Sequence, residues 1–374
     1  METKKLKVTT VLGTRPEIIR LSRITSEFDK YFEHRLINTG QNFTHSLNEV
    51  FFAQLSLRKP DLQLNISSET LGIFLSNLFF AVEKEFTANR PDALVVLGDT
   101  NSAFAAVIAK RMGITVYHLE AGNRSFDSNI PEEINRKIID HTSDFNLVYS
   151  EHARRNLISE GIASRTVCLI GSPLAEIIEY YSENIEHCDI LNELKLQKDH
   201  FFLVSLHRQE NVEKQELLLE VINALNILSS KYNLPLIVSM HPRTRDKLNE
   251  ISVKLHTNIK LHEPFGFFEY CKLQRSAKLV ISDSGSISEE AAIFGFRAIT
   301  VRDSMERPEA LESGVLILSG TTTNGILTAV EIELELNRST SIPREYEIKD
   351  TSQRVVRFIS STIGQSANWL GKRF

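Results

Sequence analysis

Only three cysteines occur in 374 residues, and Cys168, Cys188 and Cys271 are widely spaced and form no CxxC pair. That excludes a disulfide framework and fits reduced thiols in a cytoplasmic protein. HExxH, Cys/His zinc spacing and the carboxylate pattern of a dedicated metal cage are all missing, so no metal is expected. No GxGxxG follows the first apolar run, which removes the signal for a nicotinamide group, and no cofactor is expected. No stretch approaches roughly 18 uninterrupted apolar residues, and METKKLKVTTVLG contains no h-region, so neither a membrane span nor secretion is expected. Positive charge is not in excess either. With 43 Lys and Arg against 48 Asp and Glu, the net charge of −5 argues against nucleic acid as a partner, and any anion must be bound by local groups. Low-complexity tracts and short repeats are absent.

What is present is a soluble composition, 42% hydrophobic and 24% charged, in a chain too long for one core. Apolar runs at 7–12, 35–39, 93–97 and 115–119 alternate with helical patterns, and a second series follows at 201–206, 236–239, 259–261, 279–281 and 298–301. Such alternation predicts an α/β protein of two Rossmann-like, doubly wound parallel-sheet domains. The boundary is placed at Gly171-Ser172-Pro173, giving domains at 1–172 and 173–350, with a last helix in 351–374 packing back on the first domain. Ligands of such sheets bind at the carboxyl ends of strands. Those ends carry GTRPE, TGQN, LGDTN, LEAGNR, LHRQEN, MHPRTR and SDSGS, which would line one interdomain cleft.

The stretch LVISDSGSISEEAAIF at 279–294 reads as a buried strand, a hydroxyl-rich turn and a helix start. Ser284, Gly285 and Ser286 bring free N–H groups and the positive end of a helix to a point suited to a diphosphate, and a carboxylate of the following Glu289-Glu290 pair suits ribose hydroxyls. The same residues also read as an ordinary capped helix with Asp283 or Ser284 as N-cap. In GTRPE, Pro16 suits a first helical turn, and Arg15 is placed to fork onto phosphate oxygens or to lie solvated. Arg20, one turn on, adds a second positive charge.

Asp99 of LGDT and Glu120 of LEAGNR put carboxylates at two strand ends, and PEEINR adds Glu132 with Arg136 at i, i+4, a pair that surface helices also carry. Paired acids in unlike environments are how a site separates general acid from general base. His207 and His241 each follow a predicted strand and each is trailed by an arginine, Arg208 and Arg243, which favours donation to a leaving phosphate over a structural role.

Taken in order, GTRPE, GDT, EAGNR, PEEINR, HRQEN, HPRTR, SDSGSISEE and ERPE resemble the non-hydrolysing UDP-N-acetylglucosamine 2-epimerase family over nearly the whole chain. The resemblance implies two GT-B-type domains facing across a cleft, a UDP-sugar and UDP as ligands, and a homodimer. It implies that Arg15, His207, Ser284 and Glu290 hold UDP, with Glu290 on the ribose and Tyr270 stacked on uracil. It also implies Asp99, Glu120 and Glu132 as the proton-transferring carboxylates, with Arg136, His241 and Arg307 of ERPE completing the polar site.

Two departures stand out. Arg20 replaces the lysine usual after GTRPE, and Ser286 makes SDSGS of the usual SDSGG. With LEAGNRSFD and the tail from Trp369 to Phe374, these are similar to the capsule and O-antigen branch that forms UDP-N-acetyl-L-fucosamine from UDP-2-acetamido-2,6-dideoxy-L-talose. The implied chemistry is inversion at C2 by elimination of UDP and re-addition through a glycal. The alternatives are a UDP-N-acetylglucosamine 2-epimerase, a hydrolysing epimerase, a GT-B glycosyltransferase and a non-catalytic nucleotide-sugar-binding protein. Gln41 keeps part of the polar cluster that binds a second UDP-sugar in some members, but Phe43 and Thr44 follow it, so that activator site is not carried over.

Overall fold

Strands covered by helices on both faces bury their side chains at every position, as β4 (Ala93–Leu97) and β5 (Thr115–Leu119) do. The computed structural model describes residues 5–41, 45–67, 69–206, 214–240, 242–251, 253–338, 341–369 and 371, and leaves the side chains of 45–49, 242–243 and 249–250 outside that description. The chain forms two units, Met1–Glu179 with Glu347–Phe374, and Tyr180–Tyr346.

In the first unit β1 (Lys7–Leu12), β2 (Glu33–Asn38), β3 (Leu62–Gln63), β4, β5, β6 (Phe145–Val148) and β7 (Val167–Leu169) make a seven-stranded sheet of order β3-β2-β1-β4-β5-β6-β7. The second unit holds β8 (Phe202–Leu206), β9 (Leu236–Met240), β10 (Ile259–His262), β11 (Leu279–Ser282), β12 (Ala298–Thr300) and β13 (Ile317–Leu318) in the order β10-β9-β8-β11-β12-β13. Every strand pair among the described residues is parallel. Both domains therefore have the α/β class that the alternating pattern predicts. Their order reverses at β1/β4 and at β8/β11. A crevice opens at such a switch point, outside the carboxyl ends of the two strands. GTRPE and GDT flank it in the first unit, and SDSGS lies beside it in the second.

One face of the first sheet is covered by Phe74, Leu78, Val82 and Phe86 of helix Leu71–Ala88, packed with Val11, Leu94 and Val96. Each large side chain so buried contributes about 1.5–3 kcal/mol. In the second unit helix Gln215–Tyr232 sets Leu218, Val221 and Leu225 on Phe202 and Val204, while Leu273 and Ile287 cover Leu203 and Val280 from the other side. Helix Thr351–Thr362 lies in the first unit: Ser352 N donates to Glu176 Oε2 at 2.8 Å, Tyr117 and Thr362 hydroxyls are 2.9 Å apart, and Phe358 meets the Phe145 ring edge-on at 5.6 Å. The unit boundary falls after Glu179 rather than at 171–173, because helix Pro173–Tyr180 buries Leu174, Ile177 and Ile178 and its Glu176 is bound to that returning helix.

Candidate functional site

The turn after β1 is shaped by Gly13, where a Cβ would meet the Thr39 and Ser102 hydroxyls at 2.1 and 2.3 Å. Helix Arg15–Tyr31 follows, with Thr14 as N-cap and Pro16 in the first turn. Its fully buried Glu17 ties two motifs together. One carboxyl oxygen accepts from Gly13 N, Thr14 N and the Thr14 hydroxyl at 3.0, 2.8 and 2.9 Å, and the other accepts from the Thr100 hydroxyl of GDT at 3.0 Å. Burial outweighs these donors and the Glu17 pKa is pushed up to about 7 from 4.5. The folded state then holds this proton more tightly than the unfolded chain, so the group destabilises as pH rises from about 4.5 through 7, by roughly 3 kcal/mol in all. In denaturant titrations the first unit should lose stability between pH 5 and 8. In Glu17→Gln, whose amide needs no titration to satisfy Thr100, that loss should be absent; equal pH dependence in both proteins would refute the assignment.

Arg15 is half-buried with its guanidinium 5.4 Å from the Phe51 ring centroid, desolvation lowers its pKa, and no carboxylate among the described residues pairs with it. Arg20 lies on the buried side of the same helix. Its Nε is 3.4 Å from Glu120 Oε2, and its guanidinium sits 5.7 Å from the Tyr149 ring centroid. Glu120 leaves β5 with φ +63, a left-handed conformation costing a non-glycine residue about 1 kcal/mol or more. Asp99 is bound by Arg136 of helix Pro131–Thr142, and Asn135 of the same helix donates to the Asp99 carbonyl at 2.9 Å. Arg136 also holds Glu133 at 2.7 Å. Glu133 is the buried acid of PEEINR: Ser125 N and Oγ donate to it at 3.0 and 3.1 Å, and these bonds with Arg136 hold its carboxyl below the usual range against desolvation. Glu132 is exposed.

In the second unit helix Ile287–Phe294 begins later than expected, with Ser286 as N-cap rather than Asp283 or Ser284. The Ser284 and Ser286 hydroxyls are 2.9 Å apart, Ser286 Oγ donates to Glu290 Oε1 at 2.8 Å, and Gln274 donates to the other Glu290 oxygen at 2.5 Å. The neighbouring Glu289 is buried and pairs with Arg307 Nε at 2.7 Å, while Arg307 Nη1 donates to the Gly285 carbonyl at 3.0 Å. Arg307 thus offsets the charge of Glu289, one of the two adjacent acids at this turn. Tyr270, half-buried in helix Phe267–Ser276, makes no well-aligned hydroxyl hydrogen bond among the described residues. Burial and then Glu290 push its pKa upward, against the Ser205 and Ser282 hydroxyls beside it. His207 and His241 lie outside the described residues. Among those described, no group of three or more His, Cys, Asp or Glu side chains is placed to hold a metal ion.

A family model described as UDP-N-acetylglucosamine 2-epimerase matches residues 26–360. The chain belongs to the UDP-N-acetylglucosamine 2-epimerase family. It is similar to the UDP-N-acetylglucosamine 2-epimerase of Methanococcus maripaludis, at 37% identity over 348 residues, 90% of this chain and 94% of that one. It is 30% identical over 334 residues to the UDP-2,3-diacetamido-2,3-dideoxy-D-glucuronate 2-epimerase of Pseudomonas aeruginosa, covering 88% and 92% of the two chains. Among solved structures it resembles the Rickettsia bellii UDP-N-acetylglucosamine 2-epimerase, with a TM-score of 0.91, 38% identity and coverage of 97% and 98%. The Methanocaldococcus jannaschii UDP-GlcNAc 2-epimerase in complex with UDP-GlcNAc and UDP gives a TM-score of 0.90, 36% identity and coverage of 95% and 100%.

This member of the 2-epimerase family is thus an isomerase. Asp99 and Glu120 stand at the ends of neighbouring strands, each against an arginine. Glu17 of GTRPE and Glu133 of PEEINR, which the motifs alone do not single out, are buried and anchor the adjoining turns. Glu17 three residues after Thr14 has capping-box spacing, a signal that could have singled it out. Glu133 had only its i, i+3 relation to Arg136.

Proposed function

We propose that this epimerase inverts C2 of a UDP-2-acetamido sugar by eliminating UDP and adding it back, and that its substrate is UDP-2-acetamido-2,6-dideoxy-L-talose, converted to UDP-N-acetyl-L-fucosamine. The observation that carries the reaction type is the pair Asp99 and Glu120 at the ends of adjacent strands in a chain of this family. A carboxylate removes the C2 proton as the C1–O bond to UDP breaks, leaving a C1–C2 double bond. A second acid returns a proton to the opposite face of C2 and UDP re-forms the C1–O bond. Asp99, Glu120 and Glu132 supply base and acid, and Arg136 orients Asp99. Arg15, His207, His241, Arg307 and the turn Ser284-Gly285-Ser286 bind UDP and stabilise the charge that grows on it. Glu290, held by Ser286 and Gln274, accepts from the ribose, and Tyr270 supports uracil.

The sugar assignment is supported by Ser286 and above all by Arg20. A planar guanidinium makes the two-sided contact with Glu120 and Tyr149 that a lysine ammonium would make differently, so the acid is presented differently to the sugar. UDP-N-acetylglucosamine as substrate is the second reading, favoured by the names of the M. maripaludis and M. jannaschii relatives. NMR of the protein with each UDP-sugar alone separates them: kcat/KM should favour the L-talose nucleotide by about tenfold or more. Preference for UDP-N-acetylglucosamine would establish the second reading. Accumulating free UDP would indicate a hydrolase, and unchanged substrate a transferase awaiting its acceptor or a binding protein. A homodimer, a cytoplasmic place and a supply role for capsule or O-antigen polysaccharide belong to the same proposal. The three unpaired thiols support the location.

A further inference from the structure

Behind the acid-bearing turns of the first unit lies a buried cluster that the proposed reaction does not use. His118, inside β5, is fully buried, and its Nε2 is 2.8 Å from the Gly98 carbonyl oxygen. A carbonyl only accepts, so Nε2 carries a proton. The other ring nitrogen, Nδ1, stands 2.9 Å from Asp140 Oδ1 without the alignment of a hydrogen bond. Asp140 lies on helix Pro131–Thr142. Its two oxygens accept from Gly122 N at 3.2 Å each, and one of them accepts from Arg124 Nη1 at 2.7 Å. Gly122 is gripped on its other side as well, since Asn156 Nδ2 donates to its carbonyl at 3.0 Å. With φ +79 and a hypothetical Cβ only 2.4 Å from the Ala153 carbonyl oxygen, no other residue fits there.

Gly98 immediately precedes Asp99, and Gly122 follows Glu120 by two residues. The same two side chains therefore hold the backbone beside both acids. We propose that His118 and Asp140 are positioning residues: by fixing the Gly98 carbonyl and the Gly122 amide they set the separation of the Asp99 and Glu120 carboxylates. The inference rests on Asp99 and Glu120 being the acid and base of the reaction. Misplacing a catalytic group by about 1 Å can cost on the order of 10²-fold in rate. A cluster serving stability alone would leave the turnover of folded protein intact.

The test compares full-length wild type, His118→Leu and His118→Gln at a temperature where circular dichroism shows each folded. Leucine keeps bulk without a donor, whereas the glutamine amide restores an N–H toward Gly98. His118→Leu is expected to lose about tenfold or more in kcat while KM and the calorimetric Kd for UDP stay within about twofold, and His118→Gln to recover most of the loss. A folded His118→Leu with kcat within about twofold of wild type, or leucine and glutamine variants equally impaired, overturns the proposal. Should His118→Leu not fold, His118→Met, which also lacks an N–H toward Gly98 but is flexible enough to fill the site, is read in its place and leaves the Arg124–Asp140 pair intact. A tenfold or so fall in kcat at unchanged KM supports positioning, and an unchanged kcat overturns it. Absence of turnover by the wild type on either UDP-sugar would overturn the epimerase reading and this inference with it. Turnover matched by folded His118→Leu overturns this inference alone.

Discussion

Asp99→Asn and Glu120→Gln should each lower kcat by about 10²-fold or more while the affinity for UDP changes little, because an amide keeps the shape of the carboxylate and cannot transfer its proton. The partners of the two acids make the effect readable. Arg136 binds Asp99 and Arg20 meets Glu120, and both arginines have further contacts that keep them in place: Glu133 for Arg136, the Tyr149 ring for Arg20. A neutral side chain at position 99 or 120 therefore leaves the surrounding turn largely as it is, and the loss falls on chemistry. Glu132→Gln is expected to behave alike even though Glu132 is exposed here, since it sits in the first turn of the helix that also carries Arg136. Turnover in D2O supplies an independent readout. Deprotonation at C2 predicts deuterium at that carbon of the product, and full retention of the original hydrogen would remove elimination as the route. Variants that turn over normally would remove these carboxylates from it.

How far the sequence revealed this arrangement follows from where each kind of information lies. β1, β4, β5, β8 and β11 are mostly apolar runs ending in polar motifs, because a parallel strand covered on both faces is buried along its length and its ligands gather at its carboxyl end. These strands, and with them the two-domain α/β class, were legible. β3 and β13 have two residues each at sheet edges, and β7 has three, too few for any periodicity to register. β6 has four residues interrupted by Asn146, which is buried with its Nδ2 donating to the Asp140 carbonyl. The acids at strand ends were legible for the same reason as the strands. Their supports were not, because Glu17, His118, Glu133 and Asp140 look like ordinary charged residues until distant chain closes over them: Thr100 lies 83 residues from Glu17, and Gly98 lies 20 from His118. The start of helix Ile287–Phe294 was placed too early because serines at 284 and 286 are equally good caps by type, and only the backbone distinguishes them.

The largest effect on stability is expected at Arg124 of EAGNR, whose importance no sequence pattern signals. Its guanidinium is fully buried, donating to Asp140 Oδ2 at 2.7 Å, to the Asn123 carbonyl at 2.7 Å and, through Nε and Nη2, to both oxygens of the partly exposed Glu160 at 2.7 Å. Arg124→Met fills much of the volume but strands Asp140, whose side chain has no solvent access and, among the described residues, keeps only Gly122 N and the misaligned His118 contact. Removing one member of a buried pair costs about 3–5 kcal/mol, most of it the penalty of the charge left behind rather than the worth of the bond. Glu160, able to turn to water, adds little. The distinction is testable in a cycle. Denaturation of the first unit should show Arg124→Met strongly destabilised, and Arg124→Met combined with Asp140→Asn should recover a large part of the loss, since the second change removes the stranded charge. If the double variant is no more stable than Arg124→Met alone, the cost lies in lost packing and in the Asn123 carbonyl rather than in a buried carboxylate, and the electrostatic account of this turn fails.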